Sequence, residues 1–187
     1  MEDQVVVSFP EGCELGCGAG CFLDRVSHHL VVGGGVDAGG GDVDVAEELL
    51  DVGQGLAVHV QTAAHDLIYD TGPAFSADAN SGERILLPYL RAAGVRRLDT
   101  LVVTHQDNDH AGGAEAVLSG IPVAEVRTSL PLNHPVRLIA GMRDQPCVAG
   151  QHWEWDRVRF TMLHPEAPAS GAVPRKTNDM ACVLRVE

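Results

Sequence analysis

Two histidines and two aspartates fall within six residues of one another, His105-Gln-Asp107-Asn-Asp109-His110, directly after the apolar run LDTLVVT and directly before Ala111-Gly112-Gly113. Imidazole and carboxylate are the side chains that zinc, manganese and iron take as ligands. On an extended loop, positions 105, 107 and 109 point one way, and His110 can turn in beside them. Four such groups at a strand end carry a desolvation cost, and Asp107 and Asp109 repel each other. A divalent cation removes both objections. Gly112 and Gly113 permit close packing where a helix begins. A solvated acidic loop with incidental histidines is the plainer alternative, but strand, ligands and glycines occur together and in order.

The remaining pattern is that of an α/β domain. Leu56, Val58 and Val60 alternate with Ala57, His59 and Gln61, as in a half-buried strand, and HDLIYDTG is a second strand joined to it through TAAH. Ser81 is placed to cap a helix through GERILLPYLRAAG, which Pro88 either kinks or delays and Gly94 stops. LDTLVVTH, VAEVRTS, the stretch around Val158, Phe160 and Met162, and ACVLRV are further strands, the last a central one, with a short helix in GGAEAVLSG. Strands alternating with short helices give the α/β class. Trp153 and Trp155 share one face of an extended segment, a spacing that fits core packing better than base stacking.

Charge divides the chain. Of its 187 residues, 26 are acidic and 13 basic, for a net charge of −13, and residues 1–50 hold ten of the acids against Arg25 alone. Such a balance makes the chain a poor bulk partner for nucleic acid or anionic lipid, so any phosphate binding needs a local device, a metal or an arginine cluster. Residues 1–45, rich in glycine, read as a disordered leader, with the domain running over 46–187. Cys13, Cys17 and Cys21, with His28 and His29, have the residue types of a zinc site but wider spacing than usual, and leader thiols are the default. No run of eighteen apolar residues spans a membrane, and the acidic start does not resemble a signal peptide.

The string His105-x-Asp107-x-Asp109-His110 followed by glycines resembles the signature of the metallo-β-lactamase superfamily. LLDVGQGLAVHV, LIYDTG, ILLPYLRAAGV, LDTLVVTHQDNDHAGG, PCVAGQHWEWDRVRF and KTNDMACVLRV extend the resemblance, in order over residues 49–187, to the soluble C-terminal domain of the bacterial competence DNA-uptake channel, the ComEC family. That resemblance implies an αββα sandwich, here its N-terminal half plus part of the second. A single half would leave one apolar sheet face without its partner.

It also implies two divalent metal ions, zinc or manganese, one held by His105 and Asp107 and one by Asp109 and His110, with His105 and Asp109 as the catalytic pair. Asp70, Gly112, Gly113 and Asn178 would support the loop, and His164 is a possible extra ligand. The implied activity is metal-dependent phosphodiester hydrolysis with DNA as substrate. Full-length relatives would carry a channel domain in the bacterial inner membrane, with this domain on its extracytoplasmic side and soluble as it stands here. The alternatives are a truncated, non-catalytic fragment of such a protein and a hydrolase of other esters with the same fold.

Asp70 lies in Asp-Thr-Gly, which is also the triplet of aspartic proteases, but a single copy would need a second chain and leaves the His–Asp loop unexplained. Cys147 and Cys182 occupy segments that carry cysteines in similar domains; a disulfide in an oxidising compartment and two buried thiols are both open.

Overall fold

A computed structural model describes residues 30–32, 45–167 and 176–187. The expected leader lies outside the described residues, front cysteines included, except for a short strand β1 (Leu30–Val32) that pairs parallel with the last strand.

From Val45 the order is β2 (Ala46–Leu49), β3 (Val58–Gln61), β4 (Asp66–Tyr69), a small ribbon β5 (Ala74–Ser76) and β6 (Ala79–Asn80), helix α1 (Leu87–Ala92), then β7 (Leu98–Val103). Two short helices follow, α2 (Asn108–Ala111) and α3 (Ala114–Gly120), then β8 (Val123–Thr128), α4 (Pro135–Ala140) and β9 (Asp144–Pro146). The hairpin β10 (His152–Trp155) and β11 (Val158–His164) and the strand β12 (Val183–Val186) complete it.

Six strands form one sheet in the order β2-β3-β4-β7-β8-β9, and a second sheet has the order β1-β12-β11-β10. β7 is central, with parallel neighbours β4 and β8, and all six of its residues are buried. A sheet covered on both faces reads as a continuous apolar run, which is why LDTLVV shows no alternation.

Two cores explain the layers. On one side of the large sheet, Ile68, Leu101 and Val103 meet Leu86, Leu90, Val117 and Val136 from the helical segments. On the other side, Val58, Val60, Leu67, Tyr69 and Val102 meet Phe160, Met162, Leu184 and Val186 of the second sheet. The described residues thus make three layers, helices on sheet on sheet. The outer face of the second sheet carries Arg159, Thr161 and Leu163, half-buried or exposed, while Val158, Phe160 and Met162 between them point into the core. That departs from the expected bare apolar face, because a strand that alternates puts only one side into the core.

Several local expectations change. Ser81 does not cap a helix: its hydroxyl donates to the carbonyls of Thr71 and Pro73. Residues 82–86 form a wide π-helical turn, and the regular helix starts only at Leu87 with Pro88 in its first turn, where the missing N–H costs nothing. Gly94 ends it at φ +79°. β2 exists despite Glu47 and Glu48, because it is an exposed edge strand where charges blunt further pairing.

His59, on the polar side of the alternating β3 segment, is buried because α1 covers that side. It sits between Tyr89 Oη at 3.0 Å and Asp66 Oδ1 at 2.9 Å. Trp153 stacks on Phe160 and has Arg127 over its ring at 4.3 Å, and the ring of His65 lies flat on Trp155. Both tryptophans are thus packing residues.

Cys147 and Cys182 form a disulfide between the end of β9 and the residue before β12, joining the two sheets.

Candidate metal centre

The site grows from the end of β7, where the chain passes into Thr104 and the His–Asp loop. Beside it, β4 ends at Tyr69 and the chain turns at Asp70, which has φ +59° and a buried carboxylate. Asp70 is fully buried and accepts three hydrogen bonds: from Thr104 N–H at 2.7 Å, from Thr104 Oγ1 at 2.8 Å and from His110 Nδ1 at 2.7 Å. A buried carboxylate needs such compensation. With its charge thus committed, Asp70 cannot serve as a protease nucleophile activator, and the aspartic-protease reading ends there.

These bonds fix both histidine tautomers. The single Thr104 hydroxyl hydrogen goes to the carboxylate, so Oγ1 accepts from Nδ1–H of His105, 2.8 Å away. Nδ1–H of His110 goes to Asp70. In each ring the metal-binding lone pair is therefore on Nε2. His105 Nε2 lies 3.6 Å from Asp107 Oδ2, and His110 Nε2 lies 3.6 Å from Asp109 Oδ2. The ring centroids are 4.2 Å apart. Both imidazoles are nearly inaccessible, whereas the Asp107 and Asp109 side chains are 42% and 44% exposed, so the cluster opens to solvent on its carboxylate side.

Electrostatics follow from that asymmetry. Burial, with the neighbouring His110, holds His105 below the ordinary imidazole range. Burial also opposes charge on His110, but the bond to Asp70 and the Asp70, Asp109 and Asp107 charges outweigh it and raise that imidazole. No arginine or lysine is paired with these carboxylates among the described residues.

The loop is held from several sides. Asn108 receives Ala74 N–H on Oδ1 and donates Nδ2 to the Ala74 carbonyl. Thr71 donates its N–H and its hydroxyl to the His110 carbonyl. Leu56 N–H reaches the Asp109 carbonyl at 3.0 Å. A Cβ on Gly112 would lie 2.0 Å from the backbone nitrogen of Ala74, and one on Gly113 would lie 2.5 Å from the Thr71 carbonyl oxygen, so both glycines are required by contact. Of the other expected residues, Asn178 comes near through Thr177, whose hydroxyl lies 3.4 Å from Asp107 Oδ1 and 3.3 Å from Asn178 Oδ1. His164 joins neither pair; its Nε2 meets the carbonyl of Asp179 at 2.9 Å. Thr104, Thr71, Asn108 and Thr177 were not singled out from sequence, although all lie inside segments that carry the resemblance.

Two ligand atoms of one tetrahedral zinc, each about 2.1 Å from it, stand roughly 3.4 Å apart. Each His–Asp pair, at 3.6 Å, is close to that separation, so each pair would offer two ligands to a cation. Among the described residues, no group of three or more such side chains converges on one point.

The fold, a layered α/β sandwich with a His–Asp loop at the carboxyl end of a central parallel strand, defines the class. Residues 50–171 match the metallo-beta-lactamase superfamily, and the chain belongs to it. Among curated proteins it is 39% identical over 146 residues to "Competence protein ComA" of Neisseria gonorrhoeae, covering 76% of this chain and 18% of that protein. It is 36% identical over 141 residues to "Recombination protein 2" of Haemophilus influenzae, covering 75% of this chain and 16% of that protein. These relatives are ComEC-family proteins, and the chain spans about a fifth or less of their length. Among solved structures, a metallo-beta-lactamase from Cronobacter sakazakii with a HARLDQ motif (mutant S60) is similar at 18% identity and TM-score 0.45, over 60% of this chain and 48% of that one.

Proposed function

We propose that this chain is a metal-dependent phosphodiester hydrolase acting on DNA in a competence-related setting. The observation that carries the reading is the pair of His–carboxylate couples, each Nε2 3.6 Å from an exposed aspartate and both rings oriented from one buried aspartate. His105 and Asp107 would hold one cation, and Asp109 and His110 the other. A pair of cations supplies an activated water and positive charge for a phosphoryl oxygen and its leaving group. The chain's own part is placement. Asp70 and Thr104 fix the imidazoles before any ligand arrives, and the exposed carboxylates of Asp107 and Asp109 face the approach. The relatives' printed names, competence and recombination proteins, support DNA as the substrate class. The disulfide supports an oxidising compartment such as the extracytoplasmic side of a bacterial membrane. No helix among the described residues is long and apolar enough to cross a membrane.

The test is metal content, by mass spectrometry after dialysis against zinc or manganese, with turnover of bis(p-nitrophenyl) phosphate. The expected result is up to two cations per chain, lost together with turnover in folded His105→Ala/Asp109→Ala. A folded chain that binds no metal at micromolar concentration overturns the reading. It would instead favour a non-catalytic domain, which the two-ligand count per cation already supports. Turnover of thioesters or β-lactams without phosphodiesterase activity would favour another hydrolase of this fold.

A further inference from the structure

Five of the ten arginines in the described residues have carboxylate or carbonyl partners. Arg97 pairs with Asp99, Arg127 with Glu125, Arg137 with Asp144 and Arg185 with Glu187, while Arg143 donates to backbone carbonyls. Arg84, Arg91 and Arg96 differ: they are exposed and have no carboxylate partner among the described residues. All three fall within residues 84–98, a stretch with four arginines and no aspartate or glutamate, in a chain whose net charge is −13. Arg157 and Arg159, on the β10–β11 hairpin, and Lys176 are likewise exposed and without a carboxylate partner among the described residues.

Arg91 and Arg96 line a groove of about 370 Å³ where the end of α1 and the turn into β7 meet the α3–β8 connection. Leu87, Val95, Ile121 and Pro122 form its apolar lining, and no acidic residue lines it. Leu87, Val95 and Ile121 are recessed, at 6%, 6% and 7% exposure. Pro122 alone of that lining is exposed, too little apolar surface to enter a bilayer. Beyond Leu87 and Gly120 lies a second groove lined by Glu83 and Glu115, so an anion is favoured on one side and repelled on the other.

Guanidinium forks bind phosphate oxygens bidentately, and apolar floors accept sugar and base faces. We propose that the groove rimmed by Arg91 and Arg96 docks the phosphodiester backbone of a single-stranded nucleic acid. It lies at the opposite end of β7 from the His–Asp loop, and the proposal rests on the phosphodiester reading above. The groove is the local cationic device that an acidic chain needs to hold a polyanion away from its metals.

The test uses the full chain and a fluorescein-labelled 20-nucleotide single strand, with binding read by anisotropy in EDTA at several salt concentrations, so that neither turnover nor cations contribute. Arg91→Ala/Arg96→Ala is expected to weaken binding on the order of tenfold at 0.1 M salt and to flatten the logarithmic salt slope by about 1.4, two contacts at about 0.7 each. Arg157→Ala/Arg159→Ala is expected to bind as the parent chain does. Equal binding by the groove variant, or equal loss in both variants, overturns the proposal. So does tighter, groove-dependent binding of a labelled poly-glutamate peptide, which would make the partner an acidic polypeptide. Bis(p-nitrophenyl) phosphate turnover with metal present, expected unchanged in the groove variant, is read separately. Its absence in the parent chain would sink the hydrolase reading and leave the binding result standing.

Discussion

Removing the Cys147–Cys182 disulfide tests how the two sheets are held together. The bond closes a loop with a sequence separation of 35, and both cysteines are buried in the core between the sheets. In the chain-entropy treatment, a loop of that length takes about 13 cal/mol/K from the unfolded ensemble, or about 4 kcal/mol at 25 °C. The native side adds little to this estimate, because both partners are already anchored by hydrogen bonds. Cys147 N–H donates to the Thr128 carbonyl, Cys182 N–H to the Thr104 carbonyl, and Tyr69 Oη donates to the Cys182 carbonyl.

A domain is stable by only about 5–15 kcal/mol, so the loss is a large share of the total. The assay is urea unfolding of the oxidised chain against Cys147→Ala/Cys182→Ala, in a background with Cys13, Cys17 and Cys21 changed to Ser. A midpoint drop equivalent to about 4 kcal/mol is expected, with a melting temperature lower by roughly 8–16 °C. Thiol titration of the unfolded parent should find two more thiols with reductant than without. Equal thiol counts, or a stability loss under about 1 kcal/mol, would refute the reasoning.

Three further outcomes follow from the site and its surroundings. Gly112→Ala places a methyl against the backbone nitrogen of Ala74 and should cost more than about 2 kcal/mol in urea unfolding, since neither segment can move without the other. Asp70→Asn keeps the shape but loses the charge that three donors address; cation affinity measured by competition with a chelating dye should fall about 10–100-fold while the chain stays folded. Asp156 is held down to about 2 by the Thr62 hydroxyl, His65 Nδ1 and Ala64 N–H. Its folded value is depressed, so its contribution is full above the ordinary carboxylate range and is lost as pH falls toward 2. Thermal melts of the parent should exceed those of Asp156→Asn at pH 6, and the difference should vanish near pH 2.

The loop residues were legible because ligand chemistry is written in residue type and spacing, whereas the supporting place of Asp70 came only from the family resemblance. His105, Asp107, Asp109 and His110 fall within six residues, and the strand feeding them ends in the apolar run Leu101–Val103. What was not legible depends on partners distant in sequence. Ser81 has the composition of a cap, but the DTG turn offered its hydroxyl two carbonyls, and the wide turn at 82–86 shifted the helix start to Leu87. His59 alternates as a solvent-facing residue would, and only the packing of α1 buries it. Thr177 enters the site from a segment 70 residues beyond Asp107, a separation that no local pattern spans. The disulfide stayed open for the same reason, since pairing is a property of the folded distance.

Asp70 touches His110 directly and His105 through Thr104. The two imidazoles are therefore one mechanical unit. Whatever tilts that side chain moves both Nε2 atoms at once, so neither binding position can be retuned alone. If the proposed cations bind, occupancy of the first position would stiffen the second, and a cation titration should fill the pair in a single steep step. Any selectivity between zinc and manganese would then belong to the couple.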